Sequence, residues 1–273
     1  MYANERLLYR IYRSGHAGAF VLKGAMLFHV GNTRLPYRPT RDIDLRGEGR
    51  PNMAGLQALF HEFCNLKVVD DGLFFNGQSV KIERIRQEEE YHGVRARLEA
   101  RMGSVRIPVQ VDIGFGDAIT IRPKQGKITT LLDFPPPHIR IYPWETVIAE
   151  KFQVIVQLGM ANSRMKDYFD LHHLAKSIRV DGRVLARAIK ATFDCRKTPL
   201  PAEVPIGLSG IFSQEEAKQA QWKAFISRSR IDTGSASFAS VISILRSFLI
   251  PPVTALVEKR IFKEKWRPGG PWL

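Results

Sequence analysis

The sequence predicts an α+β protein, with a mixed-sheet α/β lobe over residues 1–137 and an all-helical lobe over 138–273. In the first half, short segments alternate apolar and polar residues at the period of two that a half-buried strand requires. In the second half, apolar residues recur at the spacing of one helix face. Between the halves stands Pro135-Pro136-Pro137, preceded by the polar segment Arg122–Thr130. Consecutive prolines favour extended geometry and stop a helix or a central strand, so the division falls there.

Taken in chain order, residues 3–13 read as a helix, AFVL (19–22) as a strand and 24–30 as a second helix. DIDLR (42–46) is a strand and 52–65 a helix. SVKIERIR (79–86), VRARLEARM (94–102) and VRIPVQVDI (105–113) follow as strands. Gly103-Ser104 lies between the last two as a hairpin turn would. Downstream, WETVIAEKFQVIVQLG, RMKDYFDLHHLAKSI, GRVLARAIKATF, QEEAKQAQWKAFISR and SFASVISILRSFL all read as helices.

The 273 residues, 44% hydrophobic and 25% charged, exclude a disordered or fibrous chain and suffice for one large domain or two modest ones. Lys and Arg number 41 against 27 Asp and Glu, a formal charge of +14, which suits a polyanionic partner or a merely soluble basic protein. Residues 1–137 carry 20 basic and 15 acidic side chains and 138–273 carry 21 and 12, so the helical half is the better candidate for gripping a polyanion. Cys64 and Cys195 lack metal or redox spacing and make no disulfide framework. No uninterrupted apolar run is long enough to span a membrane, and the start MYANERLLYRIYRSG is charged where a signal peptide is apolar. The expectation is a cytoplasmic protein with no membrane partner.

The densest chemistry is Lys23-Gly24-Ala25-Met26 followed by Thr40-Arg41-Asp42-Ile43-Asp44-Leu45. On a strand, Asp42 and Asp44 project from one face while Ile43 and Leu45 enter the core. Two such carboxylates repel unless a cation lies between them, and Mg²⁺ with substrate phosphates is the usual solution. Gly24 ends an apolar run and opens a helix, where a phosphate can approach backbone N–H groups. Taken alone, D-x-D also describes a solvated strand face. The third acid, Asp112, falls on the polar face of its strand because Val109, Val111 and Ile113 alternate with Gln110, Asp112 and Gly114. A third carboxylate on a neighbouring strand would complete a metal geometry for in-line phosphoryl displacement. Asp117, after Gly114 and Gly116, reads as a loop residue.

A second constellation holds Glu145, Glu150, Lys151, Arg164, Lys166, Asp167 and Asp170. Lys151 lies on an otherwise apolar helix and can reach a triphosphate as a point charge, or pair with Glu150. Asp167 and Asp170 share a helix face that could line a cleft, or could simply charge a helix start after a Ser163 cap. His172-His173 are adjacent on a helix and diverge too far to share one ion. Arg183, Arg187 and Lys190 form one stripe along a single helix, either a solvated face or a phosphate-binding one.

Together these residues resemble the nucleotidyltransferases of the AbiEii/AbiGii toxin family, which includes the MenT toxins and sits in the polymerase-β-type superfamily. The resemblance rests on FVLKGAMLFHVG with RPTRDIDL, then VQVDIGFGD, YPWETVIAEKF and RMKDYFDLHHL, and finally LIPPVTAL and WRPGGPW. It implies a polymerase-β-like nucleotidyltransferase lobe joined to a helical lobe, with an NTP and Mg²⁺ in the cleft. By that analogy Asp42 and Asp44 are the metal-binding pair, with Asp112 as the third strand acid. Lys151 matches the lysine that holds nucleotide phosphates, and Asp167 lies in the K-D-x-x-D-L motif of the second lobe. The nucleotide would be bounded by Lys23, Gly24, Ala25, Arg41, Lys151 and Asp170. Gly24-Ala25-Met26 departs from the family's Gly-Gly or Gly-Ser pattern, keeping the backbone donors and losing a hydroxyl. Members act as toxins in toxin–antitoxin or phage-defence pairs, and some transfer nucleotides to the 3′ end of tRNA. The expected partners are therefore an NTP, an RNA acceptor such as tRNA, contacted through Arg183, Arg187 and Lys190, and a cognate antitoxin. Two alternatives stay open: transfer to a protein or small molecule, and a catalytically idle RNA- or partner-binding module.

Overall fold

The computed structural model of the chain describes residues 1–31, 40–85, 93–116, 121–229 and 236–273. Contacts divide it into two compact units, Met1–Asp117 with Pro123–Tyr142, and Ala118–Arg122 with Pro143–Leu273. Asp117, read as a loop residue, Arg86, the last residue of an expected strand, and residues 32–39 lie outside the described residues.

The first unit is built on a seven-stranded mixed sheet. Its strands are β1 (Phe20–Lys23), β2 (Asp42–Gly47), β3 (Phe74–Ile85), β4 (Gly93–Met102), β5 (Val105–Gly114), β6 (Lys124–Lys127) and β7 (His138–Ile141), in the spatial order β3-β4-β5-β2-β1-β7-β6. β2 is antiparallel to β1 and parallel to β5. Its Ile43 and Leu45 are fully buried, level with Val111 and Ile113 of β5 and, one strand further, with Ala96 and Val94 of β4. Each such side chain contributes about 1.5–3 kcal/mol when buried, apart from the smaller alanine, so the apolar half of the alternation holds the sheet's register. The same alternation turns Asp42, Asp44 and Asp112 to the other face.

Two helices flank this sheet. α2 (Met53–Asn65) starts on Asn52, whose side chain accepts the Gly55 N–H at 3.1 Å, a standard N-cap contact. Its buried Leu56, Phe60, Phe63 and Cys64 form one face, laid against β3. α1 (Tyr2–Arg13) is unusual in burying Glu5, Arg6 and Arg10. Both guanidiniums converge on Asp71: Arg6 Nε at 2.9 Å, and Arg10 Nη1 and Nη2 at 2.7 and 3.1 Å. Arg6 also donates to the Pro135 carbonyl, and Glu5 accepts the Leu131 N–H. This network ties the first helix to the loop before β3 and to the segment before the prolines.

Several elements differ from the sequence reading. Arg122–Thr130, read as a polar linker, contains β6, an edge strand paired with β7 beyond the triple proline. Its residues KQGK carry no apolar alternation, and Gly126 sits where a Cβ would press on Ile141 and Val30. β3 begins at Phe74, five residues before the expected start, because an irregularity between Asn76 and Lys81 breaks the period of two. Residues 24–30, expected as a helix, form a short 3-10 helix, Gly24–His29.

The second unit holds α3 (Trp144–Leu158), α4 (Met165–Ser177), α5 (Gly182–Cys195), α6 (Gly210–Gln214), α7 (Glu216–Ser229) and α8 (Phe238–Val257). Among its described residues it is helical apart from a two-residue ladder between β8 (Val180–Asp181) and β9 (Lys265–Trp266) and an isolated bridge from Trp266 to Trp272. Among the described residues α8 alone is long and apolar enough to cross a membrane by length and composition. Within the unit it packs against α4, α5 and α6 and buries Leu245, Phe248 and Leu249. The terminal WRPGGPW folds back onto it. Trp266 and Trp272 lie 4.8 and 5.8 Å from the Phe248 ring, and their indole N–H groups donate to the Ala175 and Phe248 carbonyls.

Asp71→Ala should cost about 3–5 kcal/mol, because it takes the carboxylate from the buried Arg10 and leaves the buried Arg6 with only Glu5, 3.8 Å away. Burial pushes the Asp71 carboxyl up, but the hydrogen bonds from Arg10 and Arg6 outweigh it and hold the group below its ordinary range. Its contribution is thus present above the unfolded carboxylate pKa and lost as pH falls through the folded one. Urea unfolding at neutral and acid pH measures both effects; a wild-type midpoint in the variant refutes them.

Candidate active site

The first group of chemical side chains sits at the centre of the sheet. Asp42 and Asp44 share the polar face of β2, both half-buried. Lys23, the last residue of β1, stands opposite Asp44. Gly24 follows with φ +69°, and a Cβ there would lie 2.6 Å from Asp44 Cγ. A side chain is therefore excluded both by backbone conformation and by the carboxylate beside it. Ala25 is fully in the core, so of the expected nucleotide contacts it retains only its backbone. The six-residue 3-10 helix offers the donors of a single turn, not the end of a long α-helix. Arg41 is exposed, and its carbonyl accepts from the buried Asn4 amide at 3.0 Å.

Asp112 lies on the neighbouring strand directly level with Asp44. Its carboxylate, however, is taken by Arg95 of β4 in a two-pronged bond, Nε to Oδ1 and Nη2 to Oδ2, both 2.8 Å. Gln110 adds a weaker contact at 3.3 Å. The Asp112 hydrogen bond raises the Arg95 pKa against partial burial, and the charges of Asp112, Asp42 and Glu83 add to it, so Arg95 feels the whole acidic group. Among the described residues no three acidic, thiol or imidazole groups converge in metal-ligating geometry. The pair Asp42 and Asp44 nevertheless fits a hard divalent cation, which asks for one or two carboxylates and takes its remaining oxygens from water and phosphate. The glycine that makes room for Asp44 shapes the strand face around that carboxylate.

Arg95 was not among the expected site residues. It could have been found, because a two-residue turn at Gly103-Ser104 pairs Arg101 with Arg106 and, stepping back along both strands, Arg95 with Asp112.

The second group lies in the other unit. Lys151 of α3 places its Nζ 2.6 Å from Asp167 and 2.9 Å from Asp170 of α4, and Arg164 Nε lies 2.6 Å from the other Asp167 oxygen. The carboxylates are 1% exposed and the lysine side chain 16%. Asp167 and Asp170 therefore share a face, as their spacing requires, but it is turned inward onto Lys151. Glu150 is not the lysine's partner; it faces Arg196 at 3.7 Å. Nor does Ser163 cap α4, whose N-cap position is Arg164 and carries no side-chain cap bond. Burial raises the Asp167 pKa, yet Lys151 and then Arg164 hold it well below the carboxylate range. Burial likewise opposes the Lys151 charge, while Asp167 and Asp170 hold its pKa above the usual lysine value. The ammonium group has three donors, and these two carboxylates account for two.

His172 and His173 join no metal group, and burial, with help from Lys176, pushes the His172 pKa down to about 4. On α5, Arg183, Arg187 and Lys190 are exposed along one stripe, with Lys190 bound to Asp194 at 2.6 Å.

A family model described as "Nucleotidyl transferase AbiEii toxin, Type IV TA system" matches residues 6–244. Two solved structures share the fold. JHP933 from Helicobacter pylori aligns with a TM-score of 0.52 at 15% identity, covering 94% of this chain and 93% of that one. A second solved structure, described as that of a candidate nucleotidyltransferase from H. pylori, aligns at 0.52 and 16%, covering 94% and 96%. No curated protein matches the chain.

Asp167→Asn should lower stability by about 3 kcal/mol, since it weakens a buried pair and leaves Lys151 half-compensated. The wild-type cluster contributes fully between the ordinary carboxylate and lysine values, roughly pH 4 and 10. Its Asp167 part is lost as pH falls through the depressed folded pKa, and its Lys151 part as pH rises through the raised one. Denaturant melts across pH test this, and an unchanged acid limb in Asp167→Asn contradicts it. Gly24→Ala should cost about 1–3 kcal/mol from its positive φ, before any displacement of Asp44 is counted. A thermal midpoint within a degree of wild type would show that the carboxylate does not need the glycine.

Proposed function

The chain belongs to the AbiEii family of nucleotidyl transferase toxins of type IV toxin–antitoxin systems, and on that premise we propose that it uses Mg²⁺ to move a nucleotidyl group from an NTP onto an RNA 3′ end, with tRNA the first candidate acceptor. The observation that carries this reading is the Asp42–Asp44 pair on one polar strand face, backed by Gly24. Asp42 and Asp44 would hold the cation, whose chemistry is to neutralise phosphate charge and favour the ionised acceptor hydroxyl. In the transfer, the 3′ oxygen bonds to the α-phosphorus, the bond to the β-phosphate oxygen breaks, and pyrophosphate leaves with its electron pair. The hydroxyl proton passes to a carboxylate of this group or to water.

Each further residue has a defined part in this reading. The backbone N–H groups from Gly24 onward, and Lys23 beside Asp44, supply donors to phosphate. Asp112 serves as third acid only if its carboxylate turns from Arg95; until then Arg95 holds it in place beside Asp44. Lys151 offers its third N–H to a phosphate oxygen while Asp167 and Asp170 keep it charged and in place. Arg41, exposed before β2, is available to the nucleotide. Toxicity would follow from blocked acceptor ends, with a cognate antitoxin to relieve it.

The deciding experiment incubates the protein with total RNA and each labelled NTP, with and without chelator. Transfer to an RNA band that disappears on chelation supports the reading, whereas label on protein or no transfer refutes it. Asp42→Asn and Asp44→Asn should each lower transfer on the order of a thousandfold with the unfolding midpoint retained. Near-normal rates in both would remove these residues from the chemistry.

A further inference from the structure

The polar sheet face that carries the carboxylates continues along β4 and β5 to their shared turn. The successive cross-strand pairs on it are Asp112 with Arg95, Gln110 with Arg97, Pro108 with Glu99 and Arg106 with Arg101. β3 adds Glu83 beside Arg95, Lys81 beside Arg97 and Phe74 beside Arg101. From Asp112 to Arg106 the strand covers about 20 Å.

Charge and burial change along this strip. At the inner end Arg95 and Asp112 are partly buried and neutralise one another. Further out, Arg97 and Arg101 are 52% and 43% exposed, and Phe74 is 62% exposed. Like charges stand directly opposite each other twice, Lys81 against Arg97 and Arg101 against Arg106, an arrangement that destabilises a sheet. Glu83 and Glu99 offset part of this, at 2.9 Å from Arg97 and 2.8 Å from Arg101. The four outer cations still outnumber those two carboxylates. Exposed ion pairs of this kind are weak enough to be exchanged for phosphate contacts. An accessible aromatic ring at the end of a cationic strip is the combination that holds an unpaired nucleic-acid strand.

We propose that this strip, formed by Lys81, Arg97, Arg101, Arg106 and Phe74, binds the backbone of a single-stranded RNA end and leads it along β4 and β5 toward Asp42 and Asp44. This assignment rests on the transferase reading and places the acceptor contacts on the sheet, whereas charge balance along the chain favours the helical half. Arg101 and Arg106 each take a phosphate in place of their present neighbours, and Phe74 stacks on one base.

The test uses full-length Arg101→Gln/Arg106→Gln, Arg106→Gln alone, Phe74→Ala and, for comparison, Arg183→Gln/Arg187→Gln. Binding of a labelled single-stranded RNA with a free 3′ hydroxyl is followed over a salt series, with Mg²⁺–NTP binding and thermal midpoint measured on the same samples. The double sheet variant should lose at least tenfold in RNA affinity and flatten the log–log salt slope by about 1.4, the value for two single-strand phosphate contacts. Arg106→Gln alone should give about half of that slope change. Phe74→Ala should lose roughly fivefold or more with the slope unchanged. NTP binding and midpoint should stay at wild-type values. RNA affinity within twofold of wild type in the double sheet variant overturns the proposal, as does wild-type protein that binds no RNA or labels an acidic protein instead. Failure of the transferase reading looks different, because the wild-type protein then transfers no label from any NTP to RNA even though the sheet variants still weaken RNA binding.

Discussion

The register of β2 between β1 and β5 is the constraint on which the rest of the first unit depends. Ile43 and Leu45 are bound into the core by strands on both sides, and a one-residue slip would bury Asp42 and Asp44 in their place. The penalty for two buried carboxylates far exceeds any gain from shifted pairing, so apolar packing on one face fixes acid geometry on the other. Gly24 follows from the same constraint, since the chain leaving β1 must pass beside the Asp44 carboxylate with no room for a side chain.

The two units each contain a buried cluster of paired charges, and the two clusters differ in kind. Asp71 with Arg6 and Arg10 is sealed away from solvent and joins segments far apart in sequence, a structural clamp. Lys151 with Asp167 and Asp170 has sealed carboxylates and a lysine whose side chain is 16% exposed. A cation held charged by two buried acids has its ordering cost met on folding.

Along the sheet, side-chain charge is graded. Carboxylates occupy the half-buried centre, Arg95 and Asp112 cancel beside them, and cations dominate the exposed outer strands. Under the proposed function such an order draws a polyanion inward, since a net cationic rim attracts what the centre would receive.

Much of this was legible in the chain itself. Alternation located β1, β2, β4 and β5, helical spacing located five of the helices in the second unit, and D-x-D on an alternating strand placed Asp42 and Asp44 on one face. The hairpin turn even contained the pairing of Arg95 with Asp112. β6 and the start of β3 were hidden because a polar edge strand and an irregular one lack the alternation that burial imposes. The inward turn of Asp167 and Asp170 was hidden as well: a three-residue spacing puts two groups on one helix face without saying which way it points. Periodic burial is written locally, residue by residue, and so the sequence by itself determined which side chains share a face. Which charges meet across that face depends on strands and helices distant in the chain, and only the tertiary structure decided that Arg95 would hold Asp112 and Lys151 would hold Asp167 and Asp170.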